Sequence, residues 1–157
     1  MIRTQSGRAS IFASWASRLA SDAWASSICL RFFATTDGGA SWSTQTSNTS
    51  ERLEAVHFAD DQLGLVVGAA GTVVKTTNGG TSWSASTPAA ADLHAVGFAG
   101  SGSTAYAVGE GATILKSINA GDSWSTQSAA PVEATLRALA FPLDADHGYA
   151  VGDGGVI

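Results

Sequence analysis

Three tryptophans, Trp42, Trp83 and Trp124, stand 41 residues apart, and each closes the same ungapped phrase. The copies read Thr35-x-Asp37-x-Gly39-x-Ser41-Trp42, Thr76-x-Asn78-x-Gly80-x-Ser82-Trp83 and Ser117-x-Asn119-x-Gly121-x-Ser123-Trp124. Further phrases recur around them in a fixed order. Leu53–Phe58 (LEAVHF), Leu93–Phe98 (LHAVGF) and Leu136–Phe141 (LRALAF) form one set. Leu65–Gly68 (LVVG), Tyr106–Gly109 and Tyr149–Gly152 (both YAVG) form a second, and Thr72–Thr77 (TVVKTT) matches Thr113–Ile118 (TILKSI). A period of this length marks a repeat architecture and constrains the fold more than any single motif does.

Each phrase is short, rich in β-branched or aromatic residues, and bounded by Gly, Asn, Asp or Ser, which is the pattern of a strand. One unit therefore predicts four strands, at residues 53–58, 64–68, 72–77 and 83–87. Four antiparallel strands every 40 residues or so match the blade of a β-propeller. Blades pack through both faces, which suits an unbroken apolar run such as Gly64–Gly68 better than a sheet with one wet face does. A β-solenoid is the other repeat fold to weigh, but its units are usually shorter and lack a turn-and-Trp phrase. The expected fold is all-β, with complete blades at about 53–87 and 93–128. Residues 30–36 align as the third strand of an earlier blade, and a fourth blade opens at Leu136 and runs into its third strand at 152–157. Two full and two partial blades do not close a ring, so further sequence or self-association is expected to supply the remainder.

Composition narrows the partners. The chain has 157 residues, 45% hydrophobic and 13% charged, enough apolar material for a core. Its formal charge of −5 argues against nucleic acid or an acidic membrane. Cys29 is the only cysteine, which excludes an intrachain disulfide and a cysteine-based metal site. No run reaches the roughly 18–20 apolar residues of a membrane-spanning helix. Residues 1–29 stand apart from the repeat domain at 30–157: Arg3, Arg8 and Arg18 face one acid, Asp22, in a Ser- and Ala-rich stretch. Ile11, Trp15 and Leu19 fall at helical spacing, and the composition fits a transit peptide or a non-native extension.

The repeated phrase reads as a turn. The side-chain oxygen of Asp37, Asn78 or Asn119 is expected to accept from backbone N–H groups two or three residues on. Gly39, Gly80 and Gly121 would supply the left-handed conformation, and Ser41, Ser82 and Ser123 further hydroxyls. Ion binding fits poorly, because two of the three copies carry a neutral Asn. Asp60–Asp61 and the DADHG stretch at Asp144–Gly148 are clustered acids, but they sit where a turn between the first two strands favours Asp and Gly. His57, His94 and His147 occupy non-equivalent positions without zinc spacing. Gly68–Thr76 lacks the spacing of a phosphate loop, and Lys75 and Lys116 share one column and are expected to be solvated. No cofactor or metal is expected.

The phrase [ST]-x-[DN]-x-G-x-[ST]-W, three times at one spacing, resembles the BNR/Asp-box repeat. The longer unit GAAGTVVKTTNGGTSW, with YAVG before it in the other copies, resembles the photosystem II stability/assembly factor family and is similar to sortilin-type propellers and some glycoside hydrolases. The resemblance spans about residues 30–157. It implies that the box is a structural turn between the third and fourth strands, away from the ligand face. It further implies a non-catalytic scaffold that holds another protein, in an extracytoplasmic compartment. The rival reading is part of a sialidase- or xyloglucanase-like carbohydrate-processing or carbohydrate-binding propeller. Beyond the N-terminal segment and Arg31 at its border, however, only Arg52 and Arg137 are available for a substrate carboxylate. Tyr106 and Tyr149 share one repeat column, which marks them as packing residues.

Overall fold

A computed structural model describes residues 31–100, 102–127, 134–142 and 146–155. The expectations for 1–29 and for Asp144 lie outside these residues. Twelve strands run in chain order: β1 (Arg31–Ala34), β2 (Ser43–Thr46), β3 (Leu53–Phe58), β4 (Gly64–Gly68), β5 (Val73–Thr76), β6 (Ser84–Ser86), β7 (Leu93–Ala99), β8 (Thr104–Gly109), β9 (Ile114–Ser117), β10 (Ser125–Thr126), β11 (Leu136–Ala140) and β12 (Tyr149–Gly152). They form two four-stranded sheets, β3-β4-β5-β6 and β7-β8-β9-β10, flanked by the two-stranded sheets β1-β2 and β11-β12. All pairings are antiparallel and link consecutive strands. The architecture is that of a propeller segment, with two complete blades and halves of two others.

The boundaries differ from expectation in two instructive places. The fourth strand begins at Ser84 rather than Trp83, so the indole caps the turn instead of opening the strand. The third strand is also shorter than 72–77, because a 3₁₀ turn precedes it at Ala69–Gly71 and again at Glu110–Ala112. In the last half blade the equivalent residues Asp153–Gly155 form the same turn and not strand, and Val156 and Ile157 lie outside the described residues.

Why the second strand ends in Gly three times is a matter of space. Gly68 and Gly109 have φ of −170° and −168°, extended backbone open to any residue. A Cβ on Gly68, Gly109 or Gly152 would lie 1.9, 1.9 or 2.2 Å from the carbonyl oxygen of Arg52, Asp92 or Thr135. Those carbonyls accept from the N–H groups of Ala69, Glu110 and Asp153 at 2.8–2.9 Å, pinning each 3₁₀ turn to the start of the first strand. Glycine is there for close approach.

The core is interblade. Side chains alternate along a strand, so each blade offers different residues to its two neighbours. Leu65, Val67 and Val73 of one blade pack against Leu93, Val96, Phe98, Ala105, Ala107 and Leu115 of the next. On the opposite face Val66, Val74 and Trp83 pack against Phe32 of the preceding half blade. All of β4 is buried, hence its unbroken apolar run. Each fully buried Leu or Val contributes about 1.5–3 kcal/mol.

Candidate functional site

Two ends of the blades carry polar side chains, and they are built differently. At one end lie the repeated turns. In the second blade the Thr76 hydroxyl accepts from the N–H groups of Asn78 (3.3 Å) and Gly80 (3.0 Å) and donates to Asn78 Oδ1 (2.9 Å). Asn78 Oδ1 also accepts from the Ser82 N–H at 2.9 Å, and its Nδ2 donates to Ser82 Oγ at 2.8 Å. Ser117, Asn119, Gly121 and Ser123 reproduce this network. Thr35, Asp37, Gly39 and Ser41 do so with a carboxylate. Gly39, Gly80 and Gly121 have φ of 95°, 86° and 88°, where other residues are strained.

Two points differ from the sequence reading. The Asx oxygen reaches the N–H four residues on, not two or three, and the buried hydroxyl of Thr35, Thr76 or Ser117 organises the near half of the turn. With donors converging on it, chiefly the Ser41 hydroxyl, then the Ser41 N–H and the Thr35 hydroxyl, the Asp37 carboxyl is held far below its ordinary value. Its oxygens are engaged within the turn. Trp83 and Trp124 donate Nε1–H to Gly80 O (3.1 Å) and Gly121 O (3.2 Å). Trp83 is buried, Trp124 half-buried and Trp42 exposed. The boxes are tied to the turns between first and second strands through Gly79 N–H to Gln62 O and Ala120 N–H to Ser103 O. In that neighbouring turn Asp60 Oδ1 accepts from Gln62 N–H (2.8 Å) and Leu63 N–H (2.7 Å), which lowers its pKa.

Lys75 is not solvated. Its Nζ reaches Asp122 Oδ1 of the next blade at 2.6 Å, and its side chain is mostly buried. Lys116 instead lies 5.4 Å over the Tyr106 ring. The repeat column hid this, because Asp122 falls at a position held by Thr81 and Ala40 in the other copies. His57 is exposed to solvent on β3 beside Phe98, and partial desolvation lowers its pKa.

The opposite end, with the 3₁₀ turns, is a rim of charge. Arg52 Nε bonds Glu54 at 2.7 Å, and its guanidinium also reaches Asp92 at 3.4 Å. The other Asp92 oxygen accepts from the Ala70 N–H at 2.8 Å. Arg137 grips Asp153 through two bonds, of 3.0 and 2.8 Å, which lowers the Asp153 pKa and raises that of Arg137. His94 Nε2 is buried with no hydrogen-bond partner among the described residues. Asp92 and Asp153 each accept a donor on both oxygens, a poor arrangement for a general acid and base. Sequence reading missed this rim, although aligning the residues before each first strand (Arg52, Asp92, Thr135) against the 3₁₀ turns would have exposed it. Among the described residues no group of three metal-ligating side chains forms, and no helix is long and apolar enough to cross a membrane.

The family model of photosynthesis system II assembly factor YCF48 matches residues 34–128, more than half of the chain. The chain belongs to the YCF48 family. No curated protein matches it. Among solved structures it is similar to YCF48 bound to D1 peptide, with 26% identity and a TM-score of 0.53, over 59% of this chain and 31% of that one. It also matches YCF48 from Cyanidioschyzon merolae, with 17% identity and a TM-score of 0.64, over 80% of this chain and 42% of that one. An ancestral GH74 enzyme shares the fold at 18% identity and a TM-score of 0.55, over 69% of this chain and 17% of that one. The chain thus spans less than half the length of these two YCF48 structures. The Asp-boxes at Thr35–Trp42, Thr76–Trp83 and Ser117–Trp124 all fall inside the family match.

Proposed function

We propose that this chain is a non-catalytic scaffold that holds a segment of another protein, in the manner of an assembly factor. The observation that carries this is the YCF48 family match across both complete blades, joined to a YCF48 relative solved with a peptide bound. The binding face is the charged rim, since the Asp-box end uses its polar groups on itself. The Arg137–Asp153 ion pair is exposed to solvent, so an incoming peptide exchanges it at little cost. The same reading places the protein in an extracytoplasmic compartment, which cell fractionation tests.

A titration of the folded chain with D1 peptide, followed calorimetrically beside a scrambled peptide, is the direct test. Saturable binding that weakens with salt and with Arg52→Ala plus Arg137→Ala supports the reading. Indifference to peptide, together with binding or cleavage of xyloglucan oligosaccharides, would favour the carbohydrate reading, for which the GH74 likeness supplies the fold alone.

A further inference from the structure

The three asparagines of the chain are followed by different residues: Asn48 by Thr49, Asn78 by Gly79 and Asn119 by Ala120. Only at Asn78 does glycine follow, which leaves the next backbone nitrogen unhindered for attack on the side-chain carbon. In a chain free to turn, such a pair closes a five-membered imide. In the second blade the Asp-box ties both partners. Gly79 N–H donates to Gln62 O at 2.9 Å, so the attacking nitrogen is engaged with the neighbouring turn. Asn78 Oδ1 accepts from the Thr76 hydroxyl and the Ser82 N–H, each at 2.9 Å, and Nδ2 donates to Ser82 Oγ at 2.8 Å. The carboxamide therefore reaches forward across the turn, and swinging it back onto the Gly79 nitrogen breaks these bonds.

We propose that Asn78 is a hydrolytic deamidation site held shut by its own Asp-box, converted to an aspartyl residue only when this turn opens. In the open turn, solvent base removes the Gly79 amide proton and the nitrogen bonds to Asn78 Cγ. The Cγ–Nδ2 bond breaks, and ammonia leaves. Water then opens the imide at either carbonyl, giving aspartate or, with the backbone rerouted through the side chain, isoaspartate. No oxidant and no cofactor enter. A turn opens and closes far faster than this chemistry proceeds, so the rate follows the population of the open form. Asn78 thus keeps a chemical record of how often its blade loosens.

The two products differ in what they do to the blade. Aspartate already serves in the first box, where Asp37 accepts from the Ser41 N–H at 2.9 Å, the Thr35 hydroxyl at 2.7 Å and the Ser41 hydroxyl. An aspartate at 78 rebuilds that turn, with the Ser82 hydroxyl now donating. Isoaspartate adds a carbon to the backbone between Thr77 and Gly79. The Gly79 N–H then no longer meets Gln62 O, nor the side-chain oxygen Ser82, and the turn joining β5 to β6 loses its fastening. The third box is spared although its backbone is alike, with φ of 57° at Ala120 against 65° at Gly79. There the Ala120 methyl crowds the nitrogen.

Peptide-resolved mass spectrometry of the full chain, kept in mildly alkaline buffer with and without denaturing urea, tests this. Conversion at Asn78 should be at least about tenfold slower in buffer than in urea, because local opening controls it. In urea, Asn119 should convert much more slowly than Asn78, and Gly79→Ala should bring Asn78 down to the Asn119 rate. Ser82→Ala, which frees Nδ2, should speed conversion several-fold in buffer and leave the rate in urea unchanged, whereas Ser123→Ala should do neither. The buffer-to-urea ratio of the unaltered chain tests the gate even where Ser82→Ala fails to fold. Asn78→Asp should unfold at nearly the wild-type temperature. Equal rates in buffer and urea overturn the gate. No conversion in urea, or equal conversion of Asn119, overturns the site. A large fall in the unfolding temperature of Asn78→Asp overturns the claim that aspartate rebuilds the turn.

Discussion

Trp83→Ala probes whether the interblade core carries the stability of the chain. The indole is 6% exposed. It meets Phe32 edge-on at 4.9 Å and Phe58 edge-on at 6.0 Å, and its Nε1–H bonds Gly80 O at 3.1 Å. Truncating a buried Trp to Ala typically costs about 3–5 kcal/mol. The aromatic pairs contribute about 0.5–1.5 kcal/mol each beyond buried area, and the hydrogen bond about 1 kcal/mol, so the upper part of that range is expected. For a chain of this size that corresponds to a fall in Tm of about 10–15 °C. Urea unfolding followed by far-ultraviolet circular dichroism measures it, with the slope against urea unchanged. Trp83→Phe, which keeps one ring but loses the bond, should lose about half as much. Ile118→Ala, at a side chain 73% exposed, should stay within about 0.5 kcal/mol. A loss below about 1 kcal/mol for Trp83→Ala, or one no larger than for Ile118→Ala, would refute the packing argument.

Gly109→Ala should destabilise the third blade by at least about 1–3 kcal/mol, because its methyl would enter the Asp92 carbonyl 1.9 Å away; thermal unfolding reads this, and a neutral result removes the close-approach explanation. Lys75→Ala, Asp122→Ala and the double variant form a cycle whose coupling should be about 0.5–1 kcal/mol and shrink in 1 M salt. Asp37 has a folded pKa below its ordinary 3.8, so its contribution is fully present above about pH 4 and is lost as pH falls below that value. The Ser41 amide resonance should therefore shift in acid while those of Ser82 and Ser123, bonded to neutral Asn78 and Asn119, stay put, and Asp37→Asn should abolish the difference.

The blade architecture was legible because its apolar columns repeat with the strand period, and packing between neighbours tolerates little drift there. Turn chemistry was legible in kind but not in reach. Composition marks Asp37, Asn78 and Asn119 as turn formers, yet only coordinates show the oxygen spanning four residues with a Thr or Ser hydroxyl beneath it. The Lys75–Asp122 bridge and the Arg52–Asp92 contact were illegible for a common reason. Each joins residues of successive blades through a polar position that drifts from copy to copy: Asp122 stands where Thr81 and Ala40 do, and Arg52 and Asp92 share one column with Thr135, so each contact shows only when that column is set against its neighbour in space. The glycine at the end of the second strand was visible as a repeated letter, but its cause is a carbonyl from a residue about 16 positions earlier, as with Gly68 and Arg52.

The Asp-box also bears on the order of assembly. Each of its side-chain bonds spans four residues or fewer, and the strands it joins pair at short separation, as in Lys75 with Ser84. Closing so small a loop takes far less than a microsecond and a hairpin about 1–10 µs. The contacts that must wait are those between blades, such as Leu65 with Leu115 or Phe32 with Trp83. Every repeat thus brings its own nucleus. The expected slow step of folding is therefore the docking of preformed hairpins and blades, and a damaged box should delay its own unit without stalling the others, which stopped-flow refolding of Asn78→Ala tests.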